Sequence, residues 1–469
     1  MNRAAALHNV QFSCPELSCF VKNIYQCEAE LFVANSKEVV FSREGVTQGG
    51  PEFMAFYAAG TTILSECRSG QEVKKIFYAD DGAGGSTLEN LSEWWKDLQL
   101  QGPLIGYFPN TSKTWLIVKP EHLDRAKLLF PDIEQHSNIT VEGHGYLGSF
   151  IGTPDATKDF IGEKVSEWKK DVESLAKIAK LEPQLAYNAF VFAVSRRWQF
   201  VSRTTPHVSE HLSDLEQCIR ERFLPAILGE RSISDEQRVI FSLPAKAGGL
   251  AIHAPMNDAD EEYANSLLIT RQLREAIYFQ KSKFDVDEEA QLQIKKLIRT
   301  QKAARYSTIK ESLRDEISAT DYMMLELASE KGASMWLTSL PVKELGFRLN
   351  KQQFTDALCL RYNLPLHDVP KLCACGAPYS ISHCLTCKNG GYVHLRHNSV
   401  RDTAHELLSQ VCKDVRLEPA LLPVRGEQLP AGSNCQDGAR ADVSALGLWI
   451  PLNRAFLDIR VLTHSPSQI

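Results

Sequence analysis

Lys74-Lys75-Ile76-Phe77-Tyr78-Ala79-Asp80-Asp81-Gly82-Ala83-Gly84-Gly85 is the stretch on which the reading of this chain turns. A short β-prone run stops on two adjacent aspartates and passes at once into glycines, which predicts a hairpin with carboxylates at its turn. Neighbouring carboxylates repel, so the pair is comfortable only in water or around a cation. For an isolated Asp-Asp-Gly the plain reading is a solvated turn. The flanking sequence decides between the two.

Upstream stands Ser42-Arg43-Glu44-Gly45-Val46-Thr47-Gln48-Gly49-Gly50-Pro51, then an apolar run from Phe53 to Leu64 with helical periodicity. A glycine turn ending in proline is a good helix start, and its glycines let backbone come close to a bound nucleotide. Downstream come Gly106-Tyr107-Phe108-Pro109-Asn110-Thr111-Ser112-Lys113-Thr114, the strand-like Trp115–Val118, and Gly143-His144-Gly145-Tyr146-Leu147-Gly148-Ser149-Phe150-Ile151-Gly152.

In this order and spacing, residues 40–155 resemble the palm of a reverse transcriptase of the non-LTR retrotransposon type. Gln-Gly-Gly-Pro is similar to the family's Gln-Gly-x-Pro motif, which implies nucleotide-binding roles for Gln48 and Gly49. Tyr78-Ala79-Asp80-Asp81 matches the Tyr/Phe-x-Asp-Asp metal motif, which implies that Asp80 and Asp81 hold Mg²⁺ for nucleotidyl transfer. The Gly-x-x-x-Asn-x-x-Lys-Thr pattern implies that Lys113 lies near the triphosphate as a general acid. Tyr146-Leu147-Gly148 resembles the hairpin that grips the primer. The partners implied are an RNA template, a DNA primer at target DNA, and deoxynucleoside triphosphates.

The same resemblance exposes a gap. The family completes its two-metal site with an aspartate on an earlier palm strand, but Asp80 is the first aspartate of this sequence. Only Glu16, Glu28, Glu30, Glu38, Glu44, Glu52, Glu66 and Glu72 precede it, and Asn2-Arg3-Ala4-Ala5-Ala6-Leu7 resembles the segment that follows the absent motif. The expectation is a fragment of a longer retroelement protein, or a gene start placed too late, without fingers and inactive as a polymerase. With one of three carboxylates absent, the second ion loses its anchor. Gly50, where many relatives carry aspartate, is a smaller departure.

At 469 residues the chain exceeds one ordinary core, and its composition is that of a globular protein. The fold class expected is α+β and multidomain: a partial right-hand palm over 1–155, a helical thumb and linker over 156–368, a zinc knuckle over 369–395, and an incomplete α/β nuclease-like region over 396–469. Long amphipathic stretches at Ile161–Lys180, Ser209–Leu224 and Ala259–Phe279 carry the helical reading. Leu243-Pro244-Ala245-Lys246-Ala247-Gly248-Gly249-Leu250 resembles a turn of related elements. A net charge of −6 speaks against a protein that coats nucleic acid but leaves room for a local basic groove. Between Gln291 and Arg314, seven cations (Lys295, Lys296, Arg299, Lys302, Arg305, Lys310, Arg314) stand against the single acid Glu311. Such a run is a solvated helix face or, more sharply, a phosphate-contacting one. With no apolar span and no signal-peptide core, a nuclear or cytoplasmic location without a membrane partner is expected.

Cys373-Ala374-Cys375-Gly376 and His383-Cys384-Leu385-Thr386-Cys387 offer two ligand pairs separated by a short loop, which suits tetrahedral Zn²⁺. The set read is Cys373, Cys375, His383 and Cys387, with Cys384 spare; four protein ligands make the site structural. Arg396-His397-Asn398 and Arg401-Asp402 then open an amphipathic helix through Leu407, Leu408 and Val411 that carries Glu406. After it come strand-like Val415–Pro419, Ala439–Val443 and Ala455–Val461. A helix bearing Glu, then strands bearing Asp442 and Asp458-Ile459-Arg460, resembles the PD-(D/E)xK nuclease core. That resemblance implies Mg²⁺ at Asp442 and Asp458, assisted by Glu418 or Glu406. Arg460 stands where that family has lysine; it cannot lose its proton near neutral pH, so it stabilises charge rather than acting as a base. The alternative is that these acids form ordinary salt bridges at strand edges. Polymerase, thumb, knuckle and nuclease in this order resemble site-specific non-LTR retrotransposon proteins. Two further readings stand beside it: a non-catalytic nucleic-acid-binding protein, and a nuclease independent of the polymerase remnant. Only eleven residues follow Asp458, so the nuclease core is expected to be cut short.

Overall fold

The computed structural model describes residues 1–46, 53–66, 72–281, 284–390, 392–421 and 439–461. Gln48 and Gly49 lie outside the described residues, with the rest of their motif. The chain divides into two units, Met1–Arg361 and Tyr362–Ile469, and each mixes α and β with helices predominating.

The first unit opens with helices Arg3–Ser13 and Pro15–Tyr25, followed by an antiparallel pair, β1 (Ala29–Phe32) and β2 (Val39–Ser42). The two helices share with the helix Phe53–Glu66 a core of Ala6, Val10, Val21, Tyr25 and Phe56. Gly60 permits that packing, because a Cβ there would meet the Ala6 Cβ at 2.8 Å. Arg3 is buried, and its guanidinium is satisfied by Ser42 O at 2.6 Å, Ser42 Oγ at 2.7 Å and Gly45 O at 2.9 Å. A buried cation is tolerated only with such partners, and these tie the first helix to the end of β2.

Next come β3 (Lys74–Tyr78) and β4 (Asp81–Gly85), the helix Leu88–Gln101, and β5 (Leu116–Ile117) parallel to β6 (Ile139–Thr140). β7 (Gly143–Tyr146) and β8 (Ser149–Gly152) form a hairpin around Leu147 and Gly148, whose positive φ values of 48° and 80° suit the twist of a tight antiparallel turn. The described strands of this unit therefore make four separate two-stranded pairs. Phe77 of β3, Leu116 of β5 and Ile139 of β6 pack on a core of Leu64, Val73, Trp94, Trp95, Leu98, Ile105, Phe130 and Ile133.

The rest of the unit is helical. Pro154–Ala179 buries Ile161, Val165, Trp168, Val172, Leu175, Ala176 and Ala179, the recurring apolar face its sequence predicts. Ser209–Leu224 is instead a composite: helix Ser213–Cys218, a wide π turn Ile219–Phe223, then helix Leu224–Ile227. Pro225 has no N–H for the carbonyl four residues back, and a widened turn accommodates its ring. Ala259–Phe279 is two helices, Pro255–Ile269 and Arg271–Tyr278, parted at Thr270.

The Leu243–Leu250 turn is held by distant partners. Arg361 Nη2 donates to Ala245 O and Ala328 O, both at 3.2 Å, and to Ser334 Oγ at 2.8 Å, while the Tyr187 hydroxyl donates to Leu250 O at 2.9 Å. Gly249 must lack a side chain, because a Cβ would lie 2.0 Å from Leu243 O.

The basic run falls on the helix Glu288–Glu316 and divides in two. Lys302 donates to Glu262 at 2.6 Å, and Arg305 pairs with Asp258 at 2.8 Å and with Glu261, all on the Pro255–Ile269 helix. Lys295, Lys296 and Arg299 are exposed and, among the described residues, make no ion pair. Lys310 donates to Ser329 Oγ at 3.1 Å and Arg314 lies over the Tyr322 ring, so four of the seven cations are engaged and three form an unpaired surface.

The second unit holds a small Cys/His turn, the helix Tyr392–Val411, and three antiparallel strands: β9 (Lys413–Leu417), β10 (Val443–Leu446) and β11 (Arg454–Leu457), in the order β11-β10-β9. The central strand buries Val443, Ser444 and Ala445. Among the described residues no helix is long and apolar enough to cross a membrane.

Candidate functional site

Tyr78 and Asp81 are the last register pair of the β3-β4 hairpin, so Ala79 and Asp80 alone form its loop. Ala79 has a φ of 54° while Asp80 has no positive φ, the pattern of a hairpin turn that favours glycine at its first loop position. Alanine there is strained, and such strain persists only where the surrounding structure enforces it. On β3, Phe77 turns inward and meets Trp94 edge-on at 6.3 Å and Tyr107 at 6.5 Å. The glycines of β4 leave room for these rings: a Cβ at Gly84 would lie 2.4 Å from the Trp94 ring. The hairpin is clamped on one face, and Asp80 and Asp81 are exposed at its tip.

Three tyrosines from separate elements respond to this charge. Burial pushes the Tyr57 hydroxyl up to about 12, with Asp80 and Tyr107 adding to the shift. Burial also raises Tyr107, helped by Asp80 and Asp81, and raises Tyr146, helped by Asp81. All three phenols stay neutral at ordinary pH and so remain hydrogen-bond donors. The Tyr107 hydroxyl donates to Asp80 O at 3.2 Å, whereas the Tyr146 hydroxyl is buried with no partner among the described residues.

Tyr107 also joins the turn to the segment that carries Lys113. Asn110 Oδ1 accepts from Ser112 N at 3.0 Å and caps the short turn Thr111–Lys113. The buried Asn138 amide donates to Ser112 O at 3.0 Å and holds that turn from the β6 side. Lys113 projects from it, exposed. Among the described residues neither Asp80 nor Asp81 has an ion-pair partner, and no third carboxylate or other ligand completes a group of three around them.

In the second unit, the donor atoms of Cys373, Cys375, His383 and Cys387 all lie within 4.8 Å of one another, and Cys375 Sγ is 3.1 Å from His383 Nε2. Local structure makes the cluster. Leu372 and Pro378 pair across a tight turn that Gly376 (φ 85°) allows, and it presents Cys373 and Cys375. Ser380 caps the short helix Ile381–Thr386 through His383 N, which orients His383 and Cys387 four residues apart on one face. The Cys375 backbone N–H donates to Cys373 and, with neighbouring donors, lowers its thiol to about 6, so Cys373 is a thiolate at neutral pH. This Cys₃His set could hold a metal such as zinc, closed and without an open coordination position. Cys384 is buried, and burial together with its neighbour Cys373 raises its thiol; its sulfur is not among the four donors that converge.

The register of the three strands aligns Glu418, Asp442 and Asp458. Val443 pairs with Leu417 on one side and Leu457 on the other, so the residues one step on share one end of the sheet. Each acid is engaged there: Asp442 by His397 Nε2 at 2.9 Å and by Ile459 N, Glu418 by Arg401, and Asp458 by Arg460 at 3.0 Å. His397 and Arg401 lie four residues apart on the helix Tyr392–Val411, and their roles are legible only once strands and helix are packed. Glu406 is exposed on the same helix. Among the described residues the Cys₃His group is the only set of three or more His, Cys, Asp or Glu donors within ligand reach of one another.

No protein-family model matches this chain, and no curated protein matches it.

Proposed function

We propose that this chain derives from a retroelement RNA-directed DNA polymerase, with Asp80 and Asp81 at the position of its metal site. The reading is carried by one observation: two adjacent carboxylates at the tip of a two-residue hairpin loop strained at Ala79 and buttressed by Tyr107. In this reading Asp80 and Asp81 hold Mg²⁺, which would activate a primer 3′ hydroxyl and stabilise the leaving pyrophosphate. Tyr107 keeps the turn in register, and Lys113, on its Asn110-capped turn, faces the triphosphate as general acid. Gln48 and Gly49 would line the nucleotide pocket. The absence of a third carboxylate among the described residues favours a polymerase that no longer extends primers. Primer extension on an RNA template, with Mg²⁺ and deoxynucleoside triphosphates, tests this. No product from the parent and weak Mn²⁺ binding that is lost in Asp80→Asn are expected; robust extension would overturn the inactivity.

A second reading is a nucleic-acid-binding protein without catalysis, favoured by the unpaired exposed face of Lys295, Lys296 and Arg299. Retained oligonucleotide binding in the Asp80→Asn variant, lost on replacing those three cations, would select it. A third is a Mg²⁺-dependent endonuclease, favoured by the aligned row of Glu418, Asp442 and Asp458. Here Arg460 would stabilise charge at Asp458. Nicking of plasmid DNA by the parent but not by Asp458→Ala is its signature, and absence of nicking in both removes it.

A further inference from the structure

The helix Arg271–Tyr278 runs beside β3, the strand that leads into the aspartate turn. Gln280 Nε2 donates to Lys75 O at 3.0 Å, and the Lys74 ammonium stands 5.4 Å from the centre of the Tyr278 ring. Together with the end of the Pro255–Ile269 helix it lines an open groove of about 640 Å³. Leu267 and Leu268 supply its apolar floor, and Arg271, Arg274 and Glu275 its charged lining. At one end Tyr278 and Phe279 meet edge to face at 5.1 Å and are 63% and 64% exposed. Two large aromatics left this exposed beside guanidinium groups form a surface that a ligand with both flat apolar faces and negative charge would cover.

We propose that this groove binds single-stranded nucleic acid, with bases stacking on Tyr278 and Phe279 and phosphates meeting Arg271, Arg274 and Lys74. Charge selects this occupant. In a chain of net charge −6, Arg271 and Arg274 line the groove against one lining acid, Glu275, which pairs with Arg271 at 2.9 Å, and Lys74 stands beside it over the Tyr278 ring. An apolar peptide would use the aromatics but leave the cations unmatched, and a second copy of an acidic chain brings no general attraction. A duplex keeps its bases stacked on one another, so aromatic platforms favour an unpaired strand. The groove lies beside Lys74, about 13 Å of extended chain from Tyr78 on the strand that ends at the Asp80 and Asp81 turn. Its service to a polymerase rests on the reading above; the binding itself rests on the groove alone.

Fluorescence anisotropy of a labelled 12-nucleotide single strand with the full chain, in the absence of added Mg²⁺, isolates the groove from any chemistry at the carboxylates. Binding to the single strand in preference to a duplex of equal length is expected. Tyr278→Ala combined with Phe279→Ala should weaken it by roughly tenfold or more, the loss typical of removing base-aromatic stacks. Arg271→Ser combined with Arg274→Ser should lower the slope of log affinity against log salt by about 1 to 1.5, for two phosphates released. Melting curves identify any variant that fails to fold, and Tyr278→Phe, which keeps the platform, should bind like the parent. Unchanged affinity in the folded aromatic variant, or preference for duplex, overturns the proposal. So does self-association abolished by that variant without oligonucleotide binding, which would make the groove a protein interface.

Discussion

The Tyr107 hydroxyl donates to the Asp80 carbonyl at 3.2 Å, so a side chain 27 residues downstream holds the backbone of the aspartate turn. The ring of Tyr107 packs on the Trp94 and Phe130 core while its hydroxyl reaches the loop. Removing the hydroxyl alone separates these two functions. Tyr107→Phe should leave the core intact and cost about 0.5–1.5 kcal/mol, the net worth of one such hydrogen bond. Amide exchange at Ala79, Asp80 and Asp81 should quicken while the Leu88–Gln101 helix keeps its protection. Equal exchange at the turn in both proteins would remove Tyr107 as its buttress.

The Cys/His turn should hold one zinc per chain. Mass spectrometry of the native protein should show that stoichiometry, and Cys375→Ser should abolish it. Cys384→Ala should retain the metal, because Cys384 lies outside the set of four whose donor atoms converge. Loss of zinc in Cys384→Ala with retention in Cys375→Ser would reverse the assignment.

Gly249 and Gly162 should respond oppositely to alanine. A Cβ at Gly249 would lie 2.0 Å from the Leu243 carbonyl oxygen, backbone that has no room to move, so Gly249→Ala should destabilise by about 3 kcal/mol or more. Gly162 lies within the Pro154–Ala179 helix with open space around it, so Gly162→Ala should stabilise by about 0.5–1 kcal/mol. Chemical denaturation of the two variants and the parent checks the sign of each.

Glu262 sets an acid limb to stability. Burial pushes its carboxyl up, but hydrogen bonds from Lys302 and Arg203 outweigh burial and hold it below the ordinary 4.5. A carboxylate lowered on folding contributes stability that is complete above pH 4.5 and lost as pH falls through its folded value. Glu262→Gln should cost about 1–3 kcal/mol at pH 7, where it leaves Lys302 and Arg203 without their charged partner. That gap should narrow steadily below pH 4.5, as thermal melts across the acid range would record.

The aspartate hairpin, the Pro154–Ala179 helix and the Cys₃His ligands were legible from residue order because each depends on short-range rules. Alternation and a two-residue loop define the hairpin, apolar recurrence every three to four residues defines the helix, and ligand pairs two and four residues apart define the metal cluster. The break at Thr270 and the π turn before Pro225 were not legible as such, since hydrophobic periodicity runs through both. Nor was the division of the basic run. Lys295 and Lys302 look alike in sequence, and only the acids of the Pro255–Ile269 helix distinguish a packed cation from an unpaired one.

By itself, the sequence therefore determined which local elements form and which chemistry each can carry: carboxylates on a turn, thiols on a knuckle, cations on a helix. Tertiary structure alone decided which of these groups are free. It sets Tyr57, Tyr107 and Tyr146 where they feel the Asp80 and Asp81 charge, and it aligns Glu418, Asp442 and Asp458 while engaging each with a partner. The reason is physical. Secondary structure follows from neighbours along the chain, whereas the charge state and availability of a side chain follow from desolvation and partners that only folding brings together.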